Sequence, residues 1–219
     1  RSTPLYSSAA SVVYKRQVPL VTRADVAKFG KTTDGAVWLD PERTLPYELH
    51  QYFVNVDDRD VDRFLLQLTL VPVDEVAAVM VDHGASPDQR LAQHRLADEV
   101  CNLVHGVEAT GRARLAAQGL FGSEQPTGEV LEALRGIVPE TVLSADALDA
   151  DDSLVDVLAQ TGLCSSRGDA RRTLAGGGIR INGERGPDGM TALPSGSAVD
   201  GRFVLLQKGK RQRHLLIID

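Results

Sequence analysis

From Pro46 onward the apolar positions recur every three or four residues, a spacing that predicts a succession of helices. Tyr47, Leu49, Tyr52 and Phe53 form the first stripe; Val61, Phe64, Leu65 and Leu68 mark a second, and Val73, Val76, Ala77, Val79 and Met80 a third. Asp88 to His105 reads as a long, charged, amphipathic helix stopped by Gly106, and two more helices are expected over Ala109 to Leu120 and Leu131 to Ile137. Ahead of these, Asp40-Pro41-Glu42 offers an N-cap followed by proline at the first helical position. Val18 to Val21 and Ala36 to Leu39 are short apolar runs around a polar, glycine-containing segment, which predicts strand, basic loop, strand.

The helical period fails over residues 139–152, where acidic and small residues predict a linker. Beyond it, Ser153 is the expected cap of a helix carrying Leu154, Val155, Val157 and Leu158 and ending at Gly162. Ser165 or Ser166 caps the next, through Ala170 and Leu174 to the Gly176-Gly177-Gly178 stop. Ile179-Arg180-Ile181 alternates as a strand into Asn182-Gly183, a strong hairpin signal, and Phe203 to Ile218 predicts another hairpin about Lys208-Gly209-Lys210. The pattern thus gives an α+β chain: strands about a basic loop, a helical stretch, then a small helix-helix-strand module.

Charge sharpens that division. The 219 residues carry a net charge of −6, but residues 167–219 hold ten Arg/Lys against five Asp/Glu and residues 1–166 hold fourteen against twenty-five. Phosphate contacts are therefore expected at the C-terminal end. Cys101 and Cys164 make no Cys-x-x-Cys pair, so neither a zinc site nor a disulfide framework is expected, and no metal site is assigned. No apolar run approaches the roughly 20 residues of a membrane helix. A cytoplasmic location, with no membrane partner, is the expectation.

Lys28-Phe29-Gly30-Lys31-Thr32 has the makings of a polyphosphate contact: Gly30 lets backbone approach, Lys28 and Lys31 offset charge, and Thr32 offers a hydroxyl donor. It lacks the spacing of a P-loop. Asp57, Asp58, Asp60 and Asp62 cluster at a helix start, where carboxylates complement the exposed amides. His94 and His105 fall near one helix face without a third ligand, and are read as exposed or capping residues. Arg167, Arg171 and Arg172 lie on one short helix, and Lys208, Lys210, Arg211 and Arg213 on one hairpin; without interleaved aromatics, they favour contacts to an RNA backbone.

Val-Pro-Leu-Val-Thr-Arg-Ala-Asp at 18–25, Lys-Phe-Gly-Lys-Thr at 28–32, Val-Trp-Leu-Asp-Pro-Glu at 37–42, Pro46-Tyr47, Gln51-Tyr52-Phe53, Asn55, Asp60-Val61 and Leu103-Val104-His105-Gly106 resemble the corresponding segment of bacterial tyrosyl-tRNA synthetases, around their class I "KMSKS" loop. Leu154, Leu158, Gly162, Arg167, Ala170, Arg171, Leu174, Gly178 and Ile181-Asn182-Gly183 resemble the α-L RNA-binding motif that ends such enzymes. The resemblance implies the end of a Rossmann-like catalytic domain at 18–42, a helical anticodon-binding domain at 43–138, an acidic linker at 139–152 and an α-L RNA-binding domain at 153–219. It implies that Lys28, Lys31 and Thr32 act in catalysis, with Lys31, Lys28 and Gly30 at the ATP phosphates. Arg167, Arg171, Arg172, Lys208, Lys210 and Arg211 are the implied RNA contacts. ATP with Mg2+, L-tyrosine and tRNA(Tyr) are the implied substrates and partners, and the full-length enzyme is expected to be a homodimer. The tyrosine pocket, the His-x-Gly-His-type motif and most of the dimer interface belong to an N-terminal half that nothing in residues 1–219 matches, so this chain alone is expected to be inactive. Residues 1–17 resemble appended sequence and are expected to be a non-native leader. The alternative is a freestanding, non-catalytic RNA-binding paralogue.

Overall fold

In a computed structural model, the described residues are 21–22, 24, 31–32, 35–122, 124–144, 152–186, 190–193 and 196–219. They belong to two compact units, 1–36 and 37–219. The leader expected at 1–17 and the strand expected from Val18 lie outside the described residues, apart from Val21. In the first unit, β1 (Lys31–Thr32) pairs antiparallel with β2 (Gly35–Ala36), Lys31 opposite Ala36. The second half of the expected basic loop is thus strand.

The second unit begins with a turn. The Asp40 carboxylate accepts from the Glu42 amide at 3.0 Å and the Asp40 carbonyl from Thr44 at 3.0 Å, which spends the predicted cap on a turn. The helix opens instead at the next proline: α1 is Pro46–Val54, with the Glu48 carboxylate accepting from the Leu45 amide at 2.9 Å. In α2 (Asp58–Leu68), Asp57 is the cap and accepts from the Arg59 amide at 3.0 Å. After α3 (Val73–Ala85) and a 3-10 turn at Pro87–Gln89 comes α4 (Leu91–Phe121), against which α1, α2, α3 and α5 pack. The two helices expected on either side of Gly106 are both present, joined at a kink within this span. Gly106 adopts φ 84° and ψ 166°, which is not helical, and so ends the first helical stretch as the sequence predicts. Leu49, Phe53, Val61, Phe64, Leu65 and Val76 of the expected stripes are buried in this helical part, as are Leu96 and Val100, whereas Val73 and Ala77 of the third stripe are exposed. α5 (Gly128–Ala133), capped by Thr127, starts and stops earlier than its stripe suggested.

Residues Glu140–Leu143 form strand β3, where a linker was expected; residues 145–151 of that segment lie outside the described residues. Then follow α6 (Ser153–Gln160), α7 (Arg167–Ala175), β4 (Ile179–Ile181), β5 (Glu184–Arg185), β6 (Phe203–Lys208) and β7 (Gln212–Ile218). The sheet order is β3-β7-β6-β4-β5, with β3 parallel to β7 and every other pair antiparallel. Asn182 (φ 49°) and Gly183 (φ 85°) make the tight turn between β4 and β5, both in the left-handed region such a two-residue hairpin needs. The Asn182 side chain also accepts from the Leu205 amide at 2.8 Å and donates to the Ser197 carbonyl at 2.6 Å.

Both faces of this sheet are covered. Val204, Leu206 and Leu216 pack with Leu154, Leu158, Ala170 and Leu174 of α6 and α7. Phe203, Leu205, Leu215 and Ile217 pack on the other side with Ala116 and Leu120 of α4 and with Leu131 and Leu134. The helical part and the C-terminal module therefore share one sheet.

Candidate functional site

Of the basic loop, Lys28 and Gly30 lie outside the described residues, and Lys31 and Thr32 are the two residues of β1.

The α7 arginines are held by acids. Arg167 Nε is 2.6 Å from Asp156 Oδ1 and Arg171 Nη2 2.6 Å from Asp152 Oδ2, while Arg172 lies 4.0 Å from Asp169. The Arg171 hydrogen bond holds the Asp152 carboxyl below the usual carboxylate range. Ser153 is not the cap of α6 that the sequence predicts, because the Thr191 carbonyl accepts from the Leu154 and Val155 amides at 3.0 and 3.3 Å. Asp152, at the cap position of α6, makes no capping bond, and the Ser153 hydroxyl accepts instead from the Leu193 amide at 3.2 Å. Ser166 does cap α7, accepting from Asp169 at 3.2 Å. The three guanidinium groups remain exposed, and exposed pairs of this kind are weak enough to open to a phosphate. Their helix face is nevertheless closer to neutral than the sequence suggests.

Lys208 is paired within the fold. Its ammonium donates to the Leu163 carbonyl at 2.9 Å and lies 3.4 Å from Asp169, tying β6 to the α6–α7 turn. Asp169 in turn accepts from the Ser165 amide at 3.1 Å, and this bond, with Lys208, holds its carboxyl below the usual range.

Lys210 and Arg211 occupy the β6–β7 turn and are exposed. The sequence reading missed their neighbour Arg180 as a site residue, although the signal was present. Ile179 and Ile181 face α6 and α7, so alternation turns Arg180 to the opposite face. Strand register places Arg180 opposite Gln207, and Gln207 opposite Arg213. Arg180, Gln207, Lys210 and Arg213 line a cavity of about 340 Å³ that reaches Phe121 and Glu124. Arg213 Nη2 also donates to the Leu120 carbonyl at the end of α4, and burial lowers the pKa of this guanidinium.

In the helical part Asp57, Asp58 and Asp60 of the clustered carboxylates have structural partners. Asp57 caps α2 and holds Arg59, Asp60 is buried and 2.7 Å from Arg63, and Asp58 binds Gln93 and lies 3.4 Å from His83. His50 of α1, buried, is bonded through Nε2 to Asp98 of α4 at 3.0 Å, and Arg114 stands 3.8 Å from the same carboxylate. His94 is exposed beside them; partial desolvation, with nearby His50, Arg90 and Arg114, lowers its pKa. Burial pushes the Cys101 thiol up to about 12, which disqualifies it as a nucleophile. Among the described residues no three His, Cys, Asp or Glu side chains are placed to hold a metal, and no helix is long and apolar enough to cross a membrane.

Two family models match the chain. The model for class I tRNA synthetases (W and Y) matches residues 7–122, and that for the SYY-like C-terminal domain of tyrosine–tRNA ligase matches residues 131–216. The tyrosine–tRNA ligase of Roseiflexus castenholzii is 42% identical over 205 residues, which are 90% of this chain and 47% of the relative. That of Anaeromyxobacter dehalogenans is 41% identical over 201 residues, 90% of this chain and 48% of the relative. That of Desulfitobacterium hafniense is 39% identical over 206 residues, 93% of this chain and 48% of the relative. The chain thus spans about half the length of the curated relatives it matches. The lysine loop and the α-L-like module each fall inside one of the matched segments, and the chain belongs to the tyrosine–tRNA ligase family of class I tRNA synthetases.

Proposed function

We propose that this chain works as part of a tyrosine–tRNA ligase that activates L-tyrosine with ATP and transfers it to tRNA(Tyr). The observation that carries the reading is a class I match running unbroken through Lys28-Phe29-Gly30-Lys31-Thr32. In the reaction the tyrosine carboxylate attacks the α-phosphate, the bond to the β-phosphate's bridging oxygen breaks, and pyrophosphate leaves with that electron pair. Lys31 offsets the charge that develops on the leaving group, a contribution made mainly in the transition state, with Lys28, Gly30 and Thr32 at the same phosphates. Mg2+ enters with the nucleotide as its counterion. Residues 18–42 close the catalytic domain, 43–138 form the anticodon-binding domain, and 153–219 form the RNA-binding domain, to which β3 adds an edge strand. The complete enzyme acts as a homodimer in the cytoplasm. No observation favours a freestanding RNA binder.

Lys31→Ala in the complete enzyme tests the role. The rate of tyrosyl-adenylate formation should fall by roughly a hundredfold or more while tyrosine affinity stays nearly constant. Equal losses in rate and in tyrosine affinity would remove Lys31 from the leaving-group contact.

A further inference from the structure

The charged side chains along the seam between α6 and α7 are matched in register. Asp152 and Asp156 stand four residues apart at the start of α6, and Arg167 and Arg171 stand four apart on α7, so each pair shares one face of its helix. The pairing is antiparallel: Asp156 meets Arg167 and Asp152 meets Arg171, each at 2.6 Å. The result is a ladder of two rungs.

Asp152 gives up a local role to make its rung. Its φ of 62° lies in the left-handed region, which is unfavourable for a residue with a Cβ, and its carboxylate makes no capping bond to α6. The Thr191 carbonyl already serves the first amides of that helix, and the Thr191 side chain is bonded to the Asp152 carboxylate. The carboxylate is thereby held on Arg171 instead of on its own helix. Stability does not account for this arrangement. The four side chains are between 32% and 56% exposed, and ion pairs in such a setting stabilise a fold little.

What the ladder controls is approach. Asp156 takes the Nε edge of Arg167 and Asp152 one terminal nitrogen of Arg171, and each guanidinium keeps further donors, since a single carboxylate oxygen does not fill five N–H groups. A phosphate arriving from the α6 side meets a carboxylate, a like charge. One arriving from the opposite side of α7 meets the remaining donors. Arg172, 80% exposed with its acid 4.0 Å away, is the least guarded of the three arginines.

We propose that Asp152 and Asp156 are specificity-determining residues for RNA: they bar phosphates from the α6 side of the α7 arginines, so that a backbone laid along the opposite side is accepted and RNA attracted by charge alone is turned away. The inference rests on the RNA-binding part of the function proposed above and adds a repulsive element to it, which lets a surface discriminate without tightening its hold on the right partner. An arginine already neutralised by an acid also displaces fewer counterions, so the ladder weakens the salt-dependent, sequence-blind share of binding most.

The test compares a tRNA(Tyr) transcript with a blunt RNA duplex over a salt series, using the 219-residue chain. Asparagine has nearly the shape of aspartate and tolerates positive φ, so Asp152→Asn/Asp156→Asn should keep the parent's circular dichroism. At low salt this variant should bind the duplex roughly tenfold more tightly, with a salt slope steeper by about 1 to 2, while transcript affinity changes less than about threefold. Asp156→Asn alone, which leaves the left-handed residue untouched, should move duplex binding in the same direction. Equal gains for the two RNAs would overturn the inference, because the acids would then set total charge and not choice. Unchanged or weakened duplex binding would overturn it as well, and would make the acids mere braces. Asp82→Asn/Asp88→Asn removes two exposed carboxylates from other elements, and an equal duplex gain there would reduce the effect to net charge. Arg167→Ala/Arg171→Ala separates the two levels. If it weakens transcript binding while the asparagine variant leaves the transcript-to-duplex ratio unmoved, the RNA-binding reading stands and the ladder's role falls; if neither variant alters binding of either RNA, both fall.

Discussion

His214 shows how one side chain reports on the packing around it. It is buried on β7, its Nε2 lies 2.8 Å from the Thr141 hydroxyl of β3, and burial lowers its pKa below the ordinary 6.5. The folded state therefore binds this proton less readily than the unfolded chain. Its contribution to stability is complete above about pH 6.5, declines as pH falls below that value, and levels off below the folded-state pKa. Thermal unfolding between pH 7.5 and 5 should show the parent losing Tm faster than His214→Gln; parallel curves would mean that His214 titrates alike in both states. Residue identity was legible at this scale, and residue pairing was not. The arginines of α7 announce themselves as a basic patch, but Asp152, nineteen positions upstream of Arg171, and Asp156, eleven upstream of Arg167, are what they meet. Lys208 likewise reads as one more surface cation, yet the fold turns it onto the Leu163 carbonyl. Such pairings depend on how α6 lies against α7, which no local pattern encodes.

Among the elements, those with local causes were legible and those with distant causes were not. Asn182-Gly183 forms its hairpin because both residues tolerate positive φ, and the Ser166 cap of α7 likewise acts within one turn of chain. Strand β3 depends on a distant partner, since Glu140–Leu143 pairs along the edge of β7 more than seventy residues away. One clue to the sheet went unused. Phe203-Val204-Leu205-Leu206 and Leu215-Leu216-Ile217-Ile218 are unbroken apolar runs, whereas a strand with one wet face would alternate. Those runs imply two covered faces. Gly106 belongs with the local causes, since helical geometry fails at the stop signal read there and resumes beyond it. Its φ of 84° and ψ of 166° fall where only glycine is at ease, so Gly106→Ala should cost on the order of 1–3 kcal/mol in a denaturant titration. A variant as stable as the parent would mean that the two halves of α4 can realign without loss.

Over the whole 37–219 unit, the shared sheet predicts shared unfolding. Phe203 is buried against residues of α4 and α5, so Phe203→Ala should destabilise by about 3–5 kcal/mol. Amide exchange should show that loss in α1 and α4 as well as in β6 and β7; protection lost from the sheet alone would show two independent folding units. The sequence divides this region at an acidic stretch because charge and composition change there, and composition is blind to a buried face completed by helices from the other side of the boundary. The covered sheet also sets a spacing. The β6–β7 turn carrying Lys210 and the C-terminal part of α4 are anchored to the same doubly packed layer, so their separation is determined at folding rather than at binding. Two surfaces held at a constant interval act as a gauge: a long molecule is matched to them by its own dimensions before any single contact has sampled its chemistry.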